Sequence, residues 1–371
     1  MLYFTTRKPL RFLVSDIQGE NEADCGKTIK NMRNGALQAL FWYNKEKERK
    51  PMIISASRRT DIPRFYFEWF LNRLADGFVL VRNPMNYHQV SRVPLSPEVV
   101  DCIVFWTKNA EPMLEKLDCL GSYPYYVQFT LNPYGNEMEC ALPPKERLIT
   151  TFRHLAEKVG PPRAVWRYSP VLLNEAYTAE AHLEFFTKTA EALQGYTEQC
   201  KLSFIDLYPK IRKCMAAHGV SAVAAGEQIA LAREFAEIGR RNGIEVSACG
   251  TLDLAAAGVP PAKCIDDALI SRITGYRYRL KKDPGQRSDC YCVKSVDVGA
   301  YDTCGNGCRY CYANVSDETV KKNMESYDPH APMLCGTLLQ GDKVAQRAAK
   351  SDRAGQMSVF DMDAGQEETW R

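Results

Sequence analysis

The sequence predicts an α/β fold built as a (β/α) barrel. Short apolar or β-branched runs alternate with amphipathic helical segments from residue 52 to residue 301, and sustained alternation of this kind indicates a parallel sheet with crossover helices. The chain carries no glycine fingerprint of the dinucleotide-binding type and no short internal repeat. A barrel is therefore favoured over a doubly wound sheet.

Seven segments have the length and composition of β-strands. They are Met52–Ser57, Cys102–Thr107, Tyr125–Leu131, Ala164–Tyr168, Lys201–Leu207, Ile244–Cys249 and Ser295–Tyr301. The last of these runs directly into a cysteine-rich loop, so the loop is expected at the end of a strand.

Two helices between these strands have clear boundary signals. Residues 178–193 place apolar side chains at helical spacing, with Thr178 as the N-cap and Gly195 just beyond the end. Residues 226–241 form a second such helix. Its last two residues, Arg240 and Arg241, interact favourably with the negative end of the helix dipole.

The chain divides into three regions by pattern. Residues 1–51 are poorly patterned and end in the charged run 44–50. Met52 then begins either the natural protein or a folded domain on which residues 1–51 form an irregular cap. Residues 52–325 are predicted to form the barrel with its cysteine loop, and residues 326–371 a C-terminal tail.

Composition indicates a globular cytoplasmic protein. Of the 371 residues, 45% are hydrophobic and 25% charged, with a formal net charge of +3 that neither requires nor excludes a nucleic-acid partner. No apolar run is long enough to span a membrane, and the N-terminus lacks the apolar core of a signal peptide. In the cytoplasm, the fourteen cysteines are expected to be buried, metal-binding or catalytic rather than disulfide-bonded.

Cys304, Cys308 and Cys311 form a C-x3-C-x2-C motif with Tyr310 before the last cysteine. Three closely spaced thiolates on a tight loop can bind three irons of a [4Fe–4S] cluster and leave the fourth iron open. The alternative is a structural zinc knuckle completed by a distant ligand. The nearest downstream histidine is His330, so the spacing favours the cluster.

Four more cysteines precede this motif: Cys249, Cys264, Cys290 and Cys292. They are candidates for a second [4Fe–4S] cluster or a zinc site. Alternatively, Cys249, at a strand end, donates a hydrogen atom to a substrate radical, or all four are small buried residues.

Polar residues follow the predicted strands, at the barrel end where reactive groups are expected. Candidates for catalysis or substrate binding are Arg58, Arg59, Asp61, Lys108 and Arg167, and candidates for cofactor binding are Thr130, Asn132, Ser203 and Tyr310. Arginine suits a carboxylate or phosphate because it offers a bidentate fork. The alternative for Arg58, Arg59 and Asp61 is a salt-bridged rim.

The cysteine motif resembles the signature of the radical S-adenosylmethionine (SAM) enzymes, and the strand-end residues resemble those of spore photoproduct lyase and its relatives. The matching positions are Thr60-Asp61, Thr107-Lys108, Phe129-Thr130-Leu131 and Arg167-Tyr168-Ser169-Pro170. The resemblance implies a partial TIM-like barrel of the radical SAM type, circularly permuted so that the cluster-bearing unit lies last. A barrel tolerates this because its first and last strands are neighbours.

The chain from Met52 onward also resembles an uncharacterised bacterial family known only as a domain of unknown function. Residues 55–63, 104–109 and 303–312 carry this resemblance. One feature departs from the radical SAM pattern. The turn that usually binds the SAM amino group through a Gly-Gly-Glu-like sequence is here Ser55–Arg59, so Asp61 or backbone carbonyls would have to substitute.

Together these resemblances imply an enzyme that uses the open iron to bind SAM and a 5′-deoxyadenosyl radical to abstract hydrogen. The implied substrate is a nucleic acid or nucleotide, and the implied electron donor is a flavodoxin or ferredoxin. The alternative function is a non-SAM iron–sulfur or zinc protein whose barrel binds a ligand or nucleic acid.

Overall fold

A seven-stranded parallel sheet forms the centre of the computed structural model, which describes residues 52–250, 254–278, 280–348 and 354–356. The predicted extension 1–51 and the end of the predicted tail lie outside these ranges. The strands of this sheet, in chain order, are β1 Met52–Ala56, β4 Val100–Thr107, β5 Tyr125–Thr130, β6 Ala164–Val171, β7 Gln199–Phe204, β8 Glu245–Ala248 and β10 Val296–Asp297. Within the sheet they lie side by side in the order β10-β1-β4-β5-β6-β7-β8.

The seven strands coincide with the seven predicted segments, and the last strand in the chain pairs with the first. Ile54 lies opposite Val296, and Ser55 lies opposite Asp297, in a parallel ladder between β1 and β10. The Val298 N–H also donates to the Ser55 carbonyl at 3.1 Å. This is the neighbour relation that a permuted order requires.

The sheet is open, whereas a closed barrel would pair β8 with β10. No such pairing occurs in the described ranges, so β8 and β10 are the two outer strands. The free edge of β8 is instead used by residues 260–262. The Ala262 N–H donates to the Ala248 carbonyl at 2.7 Å, and the Ala248 N–H donates to the Pro260 carbonyl at 2.9 Å.

Helices cover one face of the sheet, and the segment 264–293 covers part of the other. Phe105, Phe129 and Trp166 point to the helical face and join the main core. On the opposite face, Val104 and Val165 pack with residues of the segment 264–293. This alternation follows from the two-residue period of a strand.

The two predicted helices are observed at Ala179–Ala192 and Ala225–Arg241, and the Thr178 hydroxyl accepts the Ala181 N–H as its N-cap. In chain order the helices are α1 Ile62–Phe65, α2 Phe67–Ala75, α3 Glu111–Leu114, α4 Lys145–Val159, α5 Ala179–Ala192, α6 Pro209–Ala217, α7 Ala225–Arg241, α8 Asp267–Thr274 and α9 Asp317–Glu325. Short 3-10 helices occur at Leu117–Leu120, Pro161–Arg163 and Ala255–Ala257. None of the helices in the described ranges has the length and apolar character needed to cross a bilayer.

The structure also contains a smaller sheet that the sequence analysis did not predict. The hairpin β2 (Phe78–Asn83) and β3 (Asn86–Pro94) pairs in antiparallel fashion, and β11 (Lys343–Gln346) joins β3 in parallel. Two further short strands, β9 (Tyr276–Arg277) and β12 (Ala354–Gln356), pair with each other. The start of the predicted tail packs on α2, where the Trp69 indole donates to the Ala331 carbonyl at 2.8 Å.

Candidate functional site

One face of the central sheet changes from apolar to polar along its strands. Ile53, Val104 and Val165 lie early in their strands and belong to a buried apolar cluster on this face. Because side chains alternate along a strand, every second residue of each strand lies on this same face. Further along the strands, the residues of this face are polar. We call them the polar face: Ser55, Gln128, Thr130, Arg167, Lys201, Ser203 and Ser247.

Arg167 is central to the polar face. Its guanidinium carbon lies 4.9 Å from the centroid of the Trp106 ring. The same group donates to Thr130 Oγ1 at 3.4 Å and to Ser169 Oγ at 3.3 Å, both long hydrogen bonds. The Ser169 hydroxyl lies 2.5 Å from that of Ser203. The structure therefore brings together three residues that were predicted separately: Arg167, Thr130 and Ser203.

Several polar atoms of this face are unpaired. Among the described residues, Arg167 Nε, Gln128 Oε1 and Ser247 Oγ are buried and have no hydrogen-bond partner. Buried polar atoms are usually satisfied by protein, water or a ligand. These three atoms can therefore bind a polar ligand.

The three-cysteine loop follows β10 and carries three free thiols: Cys304, Cys308 and Cys311. The Ala313 N–H donates to Cys311 Sγ at 3.3 Å. Burial raises the pKa of all three thiols, that of Cys304 to about 12. A bound metal would offset this cost because it stabilises thiolates.

Two glycines allow the loop its tight path. Gly307 has φ +67°, and a Cβ there would lie 3.1 Å from the Cys140 Cβ. At Gly305 a Cβ would lie 3.2 Å from the Met324 sulfur. Larger residues at these positions would strain the backbone or push the loop away from its neighbours.

No three Asp, Glu, His or Cys side chains in the described ranges stand close enough around one point to hold a single metal ion. A [4Fe–4S] cluster makes a different demand, because each thiolate binds a different iron atom.

A buried ion-pair network holds Tyr310 against the sheet. The Glu139 carboxylate accepts from Lys108 Nζ at 2.7 Å, from Lys145 Nζ at 2.5 Å and from the Tyr310 hydroxyl. The Tyr310 oxygen also accepts from Lys108 Nζ at 2.9 Å and from Asn132 Nδ2 at 3.3 Å. Burial alone would raise the pKa of Glu139, but the two lysine charges outweigh it and lower the pKa. Lys108 and Asn132 therefore hold the three-cysteine loop in place through Tyr310.

Asp61 joins the same loop to two strand ends. Its carboxylate accepts from the Lys108 N–H at 2.8 Å, from Asn306 Nδ2 at 2.9 Å and from the Arg64 N–H at 3.1 Å. The Arg64 guanidinium in turn donates to Asn306 Oδ1 at 2.5 Å. Burial raises the pKa of Asp61, and these hydrogen bonds oppose that rise. Both carboxylate oxygens of Asp61 thus accept hydrogen bonds from the protein, which ties the three-cysteine loop to the residues that follow β1 and β4.

Arg58 and Arg59 follow β1 and line a cleft of about 340 Å³. The Asp297 carboxylate accepts the Arg58 N–H at 2.8 Å and lies 3.8 Å and 3.9 Å from the Nε atoms of Arg58 and Arg59. Arg82 and Arg347 line the cleft as well, so that four arginines and two aspartates surround it. Asp342 pairs with Arg82 at 2.7 Å and offsets its charge. The remaining three arginines and two aspartates leave this salt-bridged cleft with a small net positive charge suited to an anion.

The four remaining cysteines of the predicted second site also come together. Cys249 directly follows β8, and its thiol is in hydrogen-bonding contact with the thiols of Cys264 and Cys290. The Cys292 thiol contacts the same two partners. None of the four forms a disulfide. The thiol of Cys249 is thus occupied by two other thiols instead of facing a substrate alone.

Sequence reasoning missed three residues of the site: Glu139, Lys145 and Asn306. Glu139 lies in an irregular stretch after β5, and no periodic pattern distinguishes it from a surface carboxylate. Lys145 begins α4 and was indistinguishable from a solvated lysine. Asn306 offered one signal, its position between two glycines of the cysteine motif, where a turn residue with hydrogen-bonding capacity is expected.

Comparison with known proteins gives one assignment. No curated protein matches the chain. A family described as a domain of unknown function, DUF1848, matches residues 53–313, a span that includes all seven strands of the central sheet and both cysteine sets. This agrees with the resemblance to an uncharacterised family and adds no activity. The chain belongs to the DUF1848 family.

Proposed function

We propose that this chain is a radical SAM-like iron–sulfur enzyme that binds a [4Fe–4S] cluster through Cys304, Cys308 and Cys311. The observation that carries the proposal is the position of these thiols. They are free, they follow a parallel strand, and Tyr310 between them contacts groups at the ends of two further strands. The carboxyl ends of parallel strands are where active sites of such folds are built.

The residues present fit a cluster of this kind. Three thiols can serve three irons, a backbone N–H donates to the Cys311 sulfur, and the unpaired atoms of the polar face can bind a polar cofactor. Cys304, Cys308 and Cys311 would hold the cluster, which would supply an open iron for SAM and one electron for its reductive cleavage, the chemistry by which enzymes of this type abstract hydrogen.

The strand order supports a permuted radical SAM arrangement. When the order is read from the strand that precedes the cysteines, β10 comes first and β1, β4, β5 and β6 follow. Thr60-Asp61 then follows the second strand, and Thr107-Lys108 stands at the end of the third, as the resemblance to spore photoproduct lyase requires. The proposed architecture is a partial barrel of that type in which the permutation moves the cluster-bearing unit to the end of the chain.

The residues of the polar face would bind and orient SAM. Arg167 offers a free Nε–H and two long, weak hydrogen bonds that it can exchange for a carboxylate. Thr130 and Ser203 offer hydroxyl groups on neighbouring strands. Lys108 and Glu139 would keep Tyr310 and the cysteine loop in place and contribute no proton transfer of their own.

Arg58 and Arg59 would bind the substrate. The cleft they share with Arg82 and Arg347 suits phosphate groups, and the ring of Tyr301 lies 5.2 Å from the Arg59 guanidinium. A nucleic acid or nucleotide is the proposed substrate class for this reason, with a reduced flavodoxin or ferredoxin as the proposed electron donor.

The test is anaerobic reconstitution of the full chain with iron and sulfide. We expect a broad visible absorption, a reduced-cluster EPR signal that changes when SAM is added, and formation of 5′-deoxyadenosine, detected by mass spectrometry. Cys308→Ala should lose the SAM-dependent change in the EPR signal and the product. The control Cys119→Ala, an exposed cysteine of a 3-10 helix, should retain both.

Two outcomes would refute the proposal. Zinc without iron in the three-cysteine site would make the loop a structural knuckle. An EPR signal from that site that is indifferent to SAM, with no 5′-deoxyadenosine formed, would make the chain a non-SAM iron–sulfur protein that binds a ligand or nucleic acid.

A further inference from the structure

We propose that Cys249, Cys264, Cys290 and Cys292 bind a second metal centre, a zinc ion or an iron–sulfur cluster held by four thiolates. This site uses none of the residues of the three-cysteine loop, and it stands whether or not the chain carries out radical chemistry.

The first observation is the clustering of the four thiols. Cys264, Cys290 and Cys292 share one buried cluster against the sheet, and the thiol of Cys249, directly after β8, interacts with those of Cys264 and Cys290. The four come from three separate pieces of chain: the end of β8, the loop before α8, and the stretch before β10. Chance burial of small residues does not explain why four of four meet. In the described ranges the sulfurs do not yet surround a single point, and rotation about the Cα–Cβ bonds of neighbouring thiols is the adjustment that binding would require.

The second observation is the backbone around the sulfurs. The Ile265 N–H donates to Cys292 Sγ at 3.4 Å. The Cys264 carbonyl is fixed by the Tyr126 hydroxyl at 2.6 Å and by Gln128 Nε2 at 2.9 Å. Hydrogen bonds of this kind orient ligands in metal sites and are part of the surrounding shell that metal binding needs.

The third observation is charge. Four thiolates around a divalent ion carry a net negative charge, and an uncompensated charge is costly to bury. Arg58 acts electrostatically on Cys264 and Cys292, and Arg167 and Lys201 act on Cys264. Lys201 also faces Asp266 at 3.8 Å. Arg58 in turn lies 3.8 Å from Asp297. Three cations thus act on these sulfurs, and two of them also face a carboxylate.

The geometry also suggests what the centre does. Residues 280–295 contain no helix and no strand of the main sheet, yet Cys290, Cys292 and Val293 are buried against the central sheet. A metal held by four protein ligands has no open position, which is typical of structural sites and distinguishes this site from the three-cysteine loop. The centre would fasten the segment 264–293 over the sheet, beside the polar face.

The experiment measures zinc, iron and sulfide in the full chain and in two variants purified without oxygen. In the triple variant Cys304→Ala/Cys308→Ala/Cys311→Ala, we expect one metal centre per chain to remain. Zinc without visible absorption identifies a single ion, and iron with sulfide and visible absorption identifies a cluster. Adding Cys290→Ser and Cys292→Ser to that variant should reduce bound metal to background.

The proposal is overturned if the triple variant holds no more metal than the fivefold variant. It is also overturned if mass spectrometry after alkylation finds the four cysteines paired as disulfides in the anaerobic protein. The triple variant keeps all four proposed ligands, so its own metal content still tests the proposal if the fivefold variant is unstable. A Co²⁺ titration of the triple variant, read as thiolate-to-metal charge transfer, gives an independent check.

Discussion

Replacing Glu139 with glutamine would test how the three-cysteine loop is held. Glutamine keeps the shape of the side chain but removes its negative charge. The ammonium groups of Lys108 and Lys145, whose side chains are only 13% and 17% exposed, would then face each other without a counter-ion. Removing one partner of a buried ion pair costs about 3–5 kcal/mol. Because both lysines retain some access to water, we expect the free energy of unfolding to fall by about 3 kcal/mol.

The assay is urea denaturation of the metal-free full chain, followed by circular dichroism, with an unchanged m-value as the sign that only stability has changed. The matched control is Glu111→Gln. Glu111 pairs with Arg147 at 2.8 Å, and both side chains are largely exposed, at 43% and 62%, so the loss should stay below about 1 kcal/mol. In the double variant Glu139→Gln/Lys108→Met, part of the loss should be recovered because one unpaired cation is gone. Equal losses for Glu139→Gln and Glu111→Gln would refute the account of a buried network.

Two further predictions concern the fold. Burial lowers the pKa of His182 to about 4 from its ordinary 6.5. Since the unfolded chain then binds the proton more tightly, the free energy of unfolding should fall by about 3 kcal/mol between pH 6.5 and pH 4. His182→Gln should lose this slope and the exposed His154→Gln should keep it; the same slope in both variants would assign it to other groups. At Gly299 a Cβ would lie 2.1 Å from Ser57 Oγ, so Gly299→Ala should destabilise by about 2 kcal/mol in urea denaturation. Gly226→Ala, in α7 with open space around it, should be neutral or stabilising by about 0.5 kcal/mol, and similar effects at the two glycines would contradict the steric argument.

The central sheet was predictable because its signals are local. A strand such as Val100–Thr107 is apolar throughout, and the helix Ala179–Ala192 begins at a threonine cap that the sequence displays. The strand before the cysteine motif was read from residues 295–301 in the same way, whereas its place beside β1 was expected only from the permuted barrel that the resemblance implies. The elements themselves depend on residues close together in the chain.

The network around Tyr310 was not predictable because its members are far apart. The Tyr310 hydroxyl meets Glu139 across 171 positions and Lys108 across 202. Lys108 belongs to the Thr107-Lys108 pair, but Glu139 lies in no motif, and no local pattern shows that the two meet at Tyr310. The open edge of the sheet was missed for a similar reason. Whether β8 pairs with β10 or with residues 260–262 depends on a three-residue segment with no strand pattern. A pattern of residue types reports burial and period, but it does not report which distant groups a loop will meet.

The pairing of β10 with β1 has a consequence for how the protein is made. Asp297 accepts hydrogen bonds from Ser55 and Ser57, which are synthesised about 240 residues earlier, and contacts of such long range form late in folding. Until β10 emerges, one edge of β1 has no partner, and an exposed edge strand is prone to pair with another chain. We therefore expect the proposed cluster to be inserted into a sheet that is already nearly complete, and the nascent chain to need protection at β1 before that step.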